Sequence, residues 1–234
     1  MLHGSTIRGT VTLAAVMAST WLAGSIASGT DQLVKIAPAH AGIGGPRNAA
    51  SCFRALEELG VRYQRVERPG IAIAVRVRGD LGGVTYRGYR KKPLVLDCSL
   101  VVSLAVAGRY MAQHGIERAT YSSSYQRRKV RGTDRWSKHA FGLALDVHVF
   151  AGSAAGQLSV KDDYERGLGD DADCIGQPKT SAGTVLRQLT CQFLGSDLFR
   201  MVLTPDTDAA HHNHFHLEAK PWSERTDDPI EAGC

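Results

Sequence analysis

Two short windows hold six of the nine histidines of this 234-residue chain. The first runs Ser137-Lys138-His139-Ala140-Phe141-Gly142-Leu143-Ala144-Leu145-Asp146-Val147-His148, and the second runs His211-His212-Asn213-His214-Phe215-His216. Core histidines are scattered singly, so histidines bunched with a carboxylate favour a metal ion. Zn²⁺ accepts imidazole nitrogen and carboxylate oxygen, and a catalytic zinc uses three protein ligands with one position left for water. His139, Asp146 and one histidine of the second window supply such a set. Neither window contains a cysteine, which argues against a closed structural zinc site. The same donors are compatible with several other divalent ions. The plain alternative, a hydrogen-bonded structural pair of His139 with Asp146, leaves the second histidine cluster unexplained.

The elements around the windows must bring residues seven positions apart to one point. Gly142 allows a tight turn between His139 and a strand bearing Asp146. Along a strand Asp146 and His148 share a face, as do His214 and His216 on theirs, so two neighbouring strands present ligand and base to one cleft. His148 then reads as a cleft-lining residue rather than a ligand. Elsewhere, Ala49 to Gly60 reads as a helix with Cys52, Leu56 and Leu59 on one face, and Val61–Val66 and Ile71–Val77 read as strands. Leu96 to His114 is the strongest helix, with an apolar stripe of Leu100, Val101, Leu104, Ala107 and Met111. A second long helix is expected over Thr184–Leu203, and His214–Leu217 reads as a short strand. The basic run 127–138 reads as a solvated loop and the acidic run 162–173 as a surface insertion, since its spacing misses the Ca²⁺ loop pattern.

Composition sets the class. With 43% hydrophobic and 22% charged residues the chain is globular, and no apolar run after residue 30 is long enough to span a bilayer. The net charge of +5 suits an anionic partner such as a cell wall or nucleic acid without selecting one. Arg8 precedes an uncharged apolar stretch, Val11–Ala27, which reads as a secretory signal, with cleavage after Ala27 or after Ala41 and a linker over residues 28–48. An uncleaved anchor is the alternative, the one route by which a membrane becomes a partner. Five cysteines without Cys-x-x-Cys spacing fit export to an oxidising compartment. The expected pairs are Cys52–Cys98 and Cys174–Cys191, with Cys234 left over.

The run Ser137, His139, Gly142, Ala144 and Asp146 resembles the zinc motif of the group named for lysostaphin, D-Ala-D-Ala peptidases and sonic hedgehog. His214-Phe215-His216 resembles that group's closing His-x-His. Within the group the chain is most similar to the extensin-like C-terminal domain family of bacterial envelope proteins, over roughly residues 50–220. The resemblance implies His139, Asp146 and His216 as zinc ligands and His214 as general base or stabiliser of the tetrahedral intermediate. It implies His211, or His212 in its place, as a second catalytic histidine, and Arg127 as a residue that holds a substrate oxygen or organises the cleft. Gln126 stands where the family has a cysteine, leaving Cys174 or Cys234 as the partner of Cys191, and Glu218 stands where an aspartate is common.

The fold this implies is α+β: a single domain of the hedgehog and D-Ala-D-Ala peptidase type over residues 49–220, with a small antiparallel sheet, flanking helices and zinc on one face. Residues 1–41 form the signal and linker, and 221–234 a tail. The implied function is periplasmic or secreted hydrolysis of peptidoglycan stem peptides or cross-bridges. A non-catalytic, zinc-stabilised envelope-binding module is the alternative. Nucleic-acid binding ranks last, because the basic loop has no aromatic interleaving to stack bases.

Overall fold

The structure, a computed structural model, describes residues 47–169 and 174–226. The signal segment, the linker up to residue 46 and Cys234 lie outside the described residues. The chain enters through helix α1 (Ala49–Glu58), started by a reciprocal cap in which Asn48 and Ser51 bond each other's backbone. Strands β1 (Tyr63–Arg65), β2 (Ala74–Val77) and β4 (Val95–Asp97) form a three-stranded antiparallel sheet in the order β1-β2-β4. Between β2 and β4, strand β3 (Thr85–Gly88) leaves to join the second sheet.

Helix α2 (Cys98–Gln113) follows β4 directly, capped by Asp97, whose carboxylate accepts from Ser99 N at 2.9 Å. It begins two residues later than its apolar pattern suggests, because Leu96 serves the sheet. The expected stripe proves too narrow: burial runs around most of the helix, Leu100, Val101, Val102 and Leu104 being fully enclosed. A helix apolar on nearly all sides is one surrounded by protein, and α2 is packed by α1, by the later helix Ser181–Gly195 and by both β2 and β4. The disulfide Cys52–Cys98 staples α1 to the start of α2, with Cα atoms 6.3 Å apart.

The second sheet carries the histidine windows. Strands β5 (Arg118–Ser123), β6 (Ala144–Gly152), β7 (Gly156–Ser159), β8 (Met201–Leu203) and β9 (Phe215–Glu218) run β3-β5-β6-β9-β8, with β7 paired to the far half of β6. One expectation is corrected here. The sheet is mixed rather than antiparallel, because β3 pairs with β5 in parallel. A second correction falls at Thr184–Leu203. Helix α4 (Ser181–Gly195) stops at Gly195, and Met201–Leu203 is edge strand β8 beside β9. Its alternating exposure, Met201 out and Val202 in, is a strand's period hidden behind the helix-like spacing of Leu198. Of the acidic run, Asp162 and Asp163 sit in the single-turn helix α3 (Val160–Asp163), and residues 170–173 lie outside the described set.

The second expected disulfide, Cys174–Cys191, is also present and ties the segment after the acidic run to α4. Packing continues past residue 220. Trp222 is buried with its indole N–H donating to Ser51 Oγ at 2.9 Å, and Arg225 donates to Ser103 Oγ at 2.9 Å. Among the described residues no helix is long and apolar enough to cross a membrane.

Candidate metal centre

A short 3-10 turn, Lys138–Phe141, presents His139. Ser137 Oγ caps it by accepting from His139 N, and Gly142 ends it in the left-handed region at φ 66°. Only glycine fits there without strain, and a Cβ at this position would lie 2.8 Å from the backbone nitrogen of Asp97. The chain then turns into β6, where Asp146 follows. Strand β9 lies antiparallel beside β6 with Asp146 opposite His216. The two windows are thus brought together by one strand pair.

The three side chains converge. His139 and Asp146 are buried and His216 is nearly so, and one donor atom from each lies within 4.8 Å of the others. Asp146 Oδ1 is the hub: it is 2.8 Å from His216 Nδ1, 3.2 Å from His139 Nε2 and 3.5 Å from His214 Nε2. His139 donates its ring N–H at Nδ1 to the carbonyl of Ser124 at 2.7 Å, which turns its Nε2 toward the cluster. On His216 the far nitrogen, Nε2, faces Glu218 Oε2 at 3.8 Å. Outer partners of this kind fix the tautomer and orientation of metal-ligating histidines. The donor set therefore fits a divalent cation, with two imidazoles and one carboxylate as ligands.

Charge in the cluster is finely divided. Burial works against the charge of Asp146, but hydrogen bonds from His139 and His216 and their positive charge outweigh it and hold the carboxyl well below the usual range. Burial likewise disfavours protonated His216, yet Asp146 and Glu218 raise it to about 9. His214 goes the other way: burial and the neighbouring histidines outweigh Asp146 and lower it to about 4, so it is neutral at pH 7. Burial lowers His148 too.

Around this set the other histidines sort by position. His214 lies just before β9, its Nδ1–H directed to Asn213 Oδ1 at 2.9 Å and its Nε2 toward Asp146. His211 packs against both His214 and His216, with ring centroids 5.1 and 5.7 Å away, and is oriented by Asp208 through a 2.8 Å bond to Nδ1. His212 is exposed and turns its Nδ1 back to the carbonyl of Ala209, so His211 is the one that meets the cluster. His148 lies 5.1 Å from His214 and is held by Ser122 Oγ at 2.7 Å, lining the cleft. Arg127 is not brought in. It is exposed, with its guanidinium over the ring of Trp136 at 5.6 Å, and has no hydrogen bond or ion pair to the cluster among the described residues.

Two partners escaped the sequence reading, and a third, Glu218, has a position there but no role. The Ser124 carbonyl has no residue-type signature. Asp208 carried a signal, an aspartate three residues before His211, the spacing of a 3-10 turn cap. Glu218 lies two residues beyond His216 on the same strand face, buried between Lys138 at 4.0 Å and Arg200 at 3.8 Å.

A mixed α/β domain with a largely buried His–Asp–His cluster, built from one strand pair and the turn before it, is the class this geometry defines. The chain belongs to the family described as extensin-like protein C-terminus, whose model matches residues 50–226. Comparison with curated proteins and with solved structures gives no match.

Proposed function

We propose that the protein is an exported, zinc-dependent hydrolase of peptide bonds in peptidoglycan stem peptides or cross-bridges, akin to the lysostaphin, D-Ala-D-Ala peptidase and hedgehog group. The observation that carries this reading is a pair of oriented histidines, His214 and His211, beside the ligand set, since a purely structural site needs no base there. The apolar segment Val11–Ala27 and the two disulfides support export.

His139 Nε2, Asp146 Oδ1 and His216 Nδ1 would hold the ion. Zinc, when bound, supplies Lewis acidity that polarises a scissile carbonyl and makes water a stronger acid. His214 is neutral at pH 7 with its Nδ1–H occupied by Asn213, so its Nε2 is free to take a proton from attacking water and return it to the leaving amine. His211, its Nδ1–H donated to Asp208, is placed to stabilise negative charge developing on the carbonyl oxygen when protonated at Nε2. Arg127 acts only if substrate draws it from Trp136, so its expected part is in binding. The test sets purified wild type beside His214→Ala on isolated peptidoglycan, with metal content measured in both. The reading requires released peptide fragments, lost by about 10²-fold or more in the variant at unchanged metal content. Bound metal with no release from several wall types moves the protein to a zinc-stabilised binding module.

A further inference from the structure

Beside the metal cluster lies a partly open cavity of about 160 Å³, lined in part by Arg90, Lys92, Tyr121, Ser122, Ser124 and Gln126. It shares its wall with the centre. Ser124 provides the carbonyl that holds His139, Ser122 provides the hydroxyl that holds His148, and Gln126 N donates to the His139 carbonyl at 3.1 Å. No residue lining it is acidic. Arg90 and Lys92 are exposed and have no ion-pair partner among the described residues.

The loop that carries the two cations is fixed rather than free-hanging. It leaves the parallel strand β3, is pinned by Tyr89 N donating to the Tyr121 carbonyl at 3.1 Å, and turns tightly through Lys91 N donating to the Gly88 carbonyl at 2.9 Å. The Tyr121 hydroxyl donates to the Lys92 carbonyl at 3.5 Å. Tyr89, largely exposed, stands 5.5 Å from His148, so the same loop borders the histidine cleft. Two cations, hydroxyls and an amide around a space of a few water molecules match a small anionic oxygen group.

We infer that this cavity is a carboxylate subsite, formed chiefly by Arg90 and Lys92, which sets an acidic group of the peptide substrate beside the bond to be cleaved. The inference rests on the peptide-hydrolase reading for its substrate, but its test does not need turnover. A cavity of this kind selects acidic over amidated peptides and fixes the register of the chain across His139, Asp146 and His216.

The test uses the metal-loaded protein carrying His214→Ala, so that binding is read without hydrolysis. Three synthetic pentapeptides serve as probes: one with an internal glutamate and a free terminal carboxylate, one amidated at the terminus, and one with the glutamate replaced by glutamine. Titration calorimetry is expected to give about tenfold weaker binding when the recognised carboxylate is neutralised. Which of the two neutralised peptides weakens identifies the terminal or the side-chain carboxylate as the ligand. Adding Arg90→Gln and Lys92→Gln is expected to abolish that discrimination at unchanged metal content. Equal binding of all three peptides, or discrimination that survives in the double variant, overturns the subsite. Should the double variant fold poorly, salt dependence in the parent decides: the peptide with both carboxylates must lose more affinity with salt than the one in which the recognised carboxylate is neutralised, and equal losses overturn the subsite. Discrimination without any hydrolysis by wild type leaves the subsite standing and removes the hydrolase.

Discussion

Asparagine at position 146 removes one charge from the point where three imidazoles meet, at almost constant volume. In metal-stripped protein the main consequence falls on His216, 2.8 Å from Asp146 Oδ1 and held up to about 9 by Asp146 and Glu218 against the effect of burial. A group with a folded pKa above its unfolded one stabilises the fold fully below the unfolded value. That contribution is lost as pH rises through the folded value. At ~1.36 kcal/mol per pH unit, the rise from 6.5 to about 9 amounts to about 3 kcal/mol below pH 6.5, fading to nothing above pH 9. Asp146 is the nearer of the two carboxylates, so Asp146→Asn should remove roughly 2 kcal/mol of it. His214, lowered to about 4, stays neutral above pH 6.5 and does not enter this window. The assay is urea unfolding in the presence of chelator, wild type beside variant, at pH 6.5 and pH 10. The gap between the two proteins should be about 2 kcal/mol wider at pH 6.5. A gap of the same size at both pH values would refute the Asp146–His216 pairing.

Other perturbations probe the scaffold of the site. Gly142→Ala places a Cβ 2.8 Å from Asp97 N in a left-handed turn, and should cost about 2 kcal/mol in denaturant unfolding while weakening metal binding through displaced His139. Glu218→Gln keeps the ligands but loses the charge facing His216 Nε2, and should lower metal affinity by about 10-fold or more in competition with a chelating dye. Replacing Cys52 and Cys98 by serine opens a cross-link with a sequence separation of 46 and should reduce unfolding free energy by about 4 kcal/mol at unchanged metal stoichiometry.

The metal cluster was legible in the sequence because its donors sit in two short windows and because strand alternation forces Asp146 and His148, or His214 and His216, onto one face. What joins the windows is the pairing of β6 with β9, which the alternation anticipates but whose register, Asp146 against His216, only the structure supplies. The Ser124 carbonyl was invisible because any residue can offer a backbone acceptor. It reaches His139 just beyond two register shifts in β5, at Thr120/Tyr121 and Tyr121/Ser123, a local irregularity with no residue signature. Arg127 makes no hydrogen bond or ion pair to the cluster among the described residues, its guanidinium lying over Trp136 instead. The boundary after Gly195 was missed since Leu198 and Val202 are spaced like a continuing helix, while Met201–Leu203 answers to a partner strand far along the chain. The parallel placement of β3 is likewise a long-range choice.

Metal stoichiometry is the most direct test of the centre itself. Purified protein is dialysed against limiting zinc and assayed by mass spectrometry of the metal, wild type beside His139→Ala, Asp146→Asn and His216→Gln, with circular dichroism as the folding control. The geometry predicts close to one ion per wild-type chain and almost none in each folded variant. Zinc retained at the wild-type level in any of the three variants, or absent from wild type, contradicts the assignment of His139, Asp146 and His216.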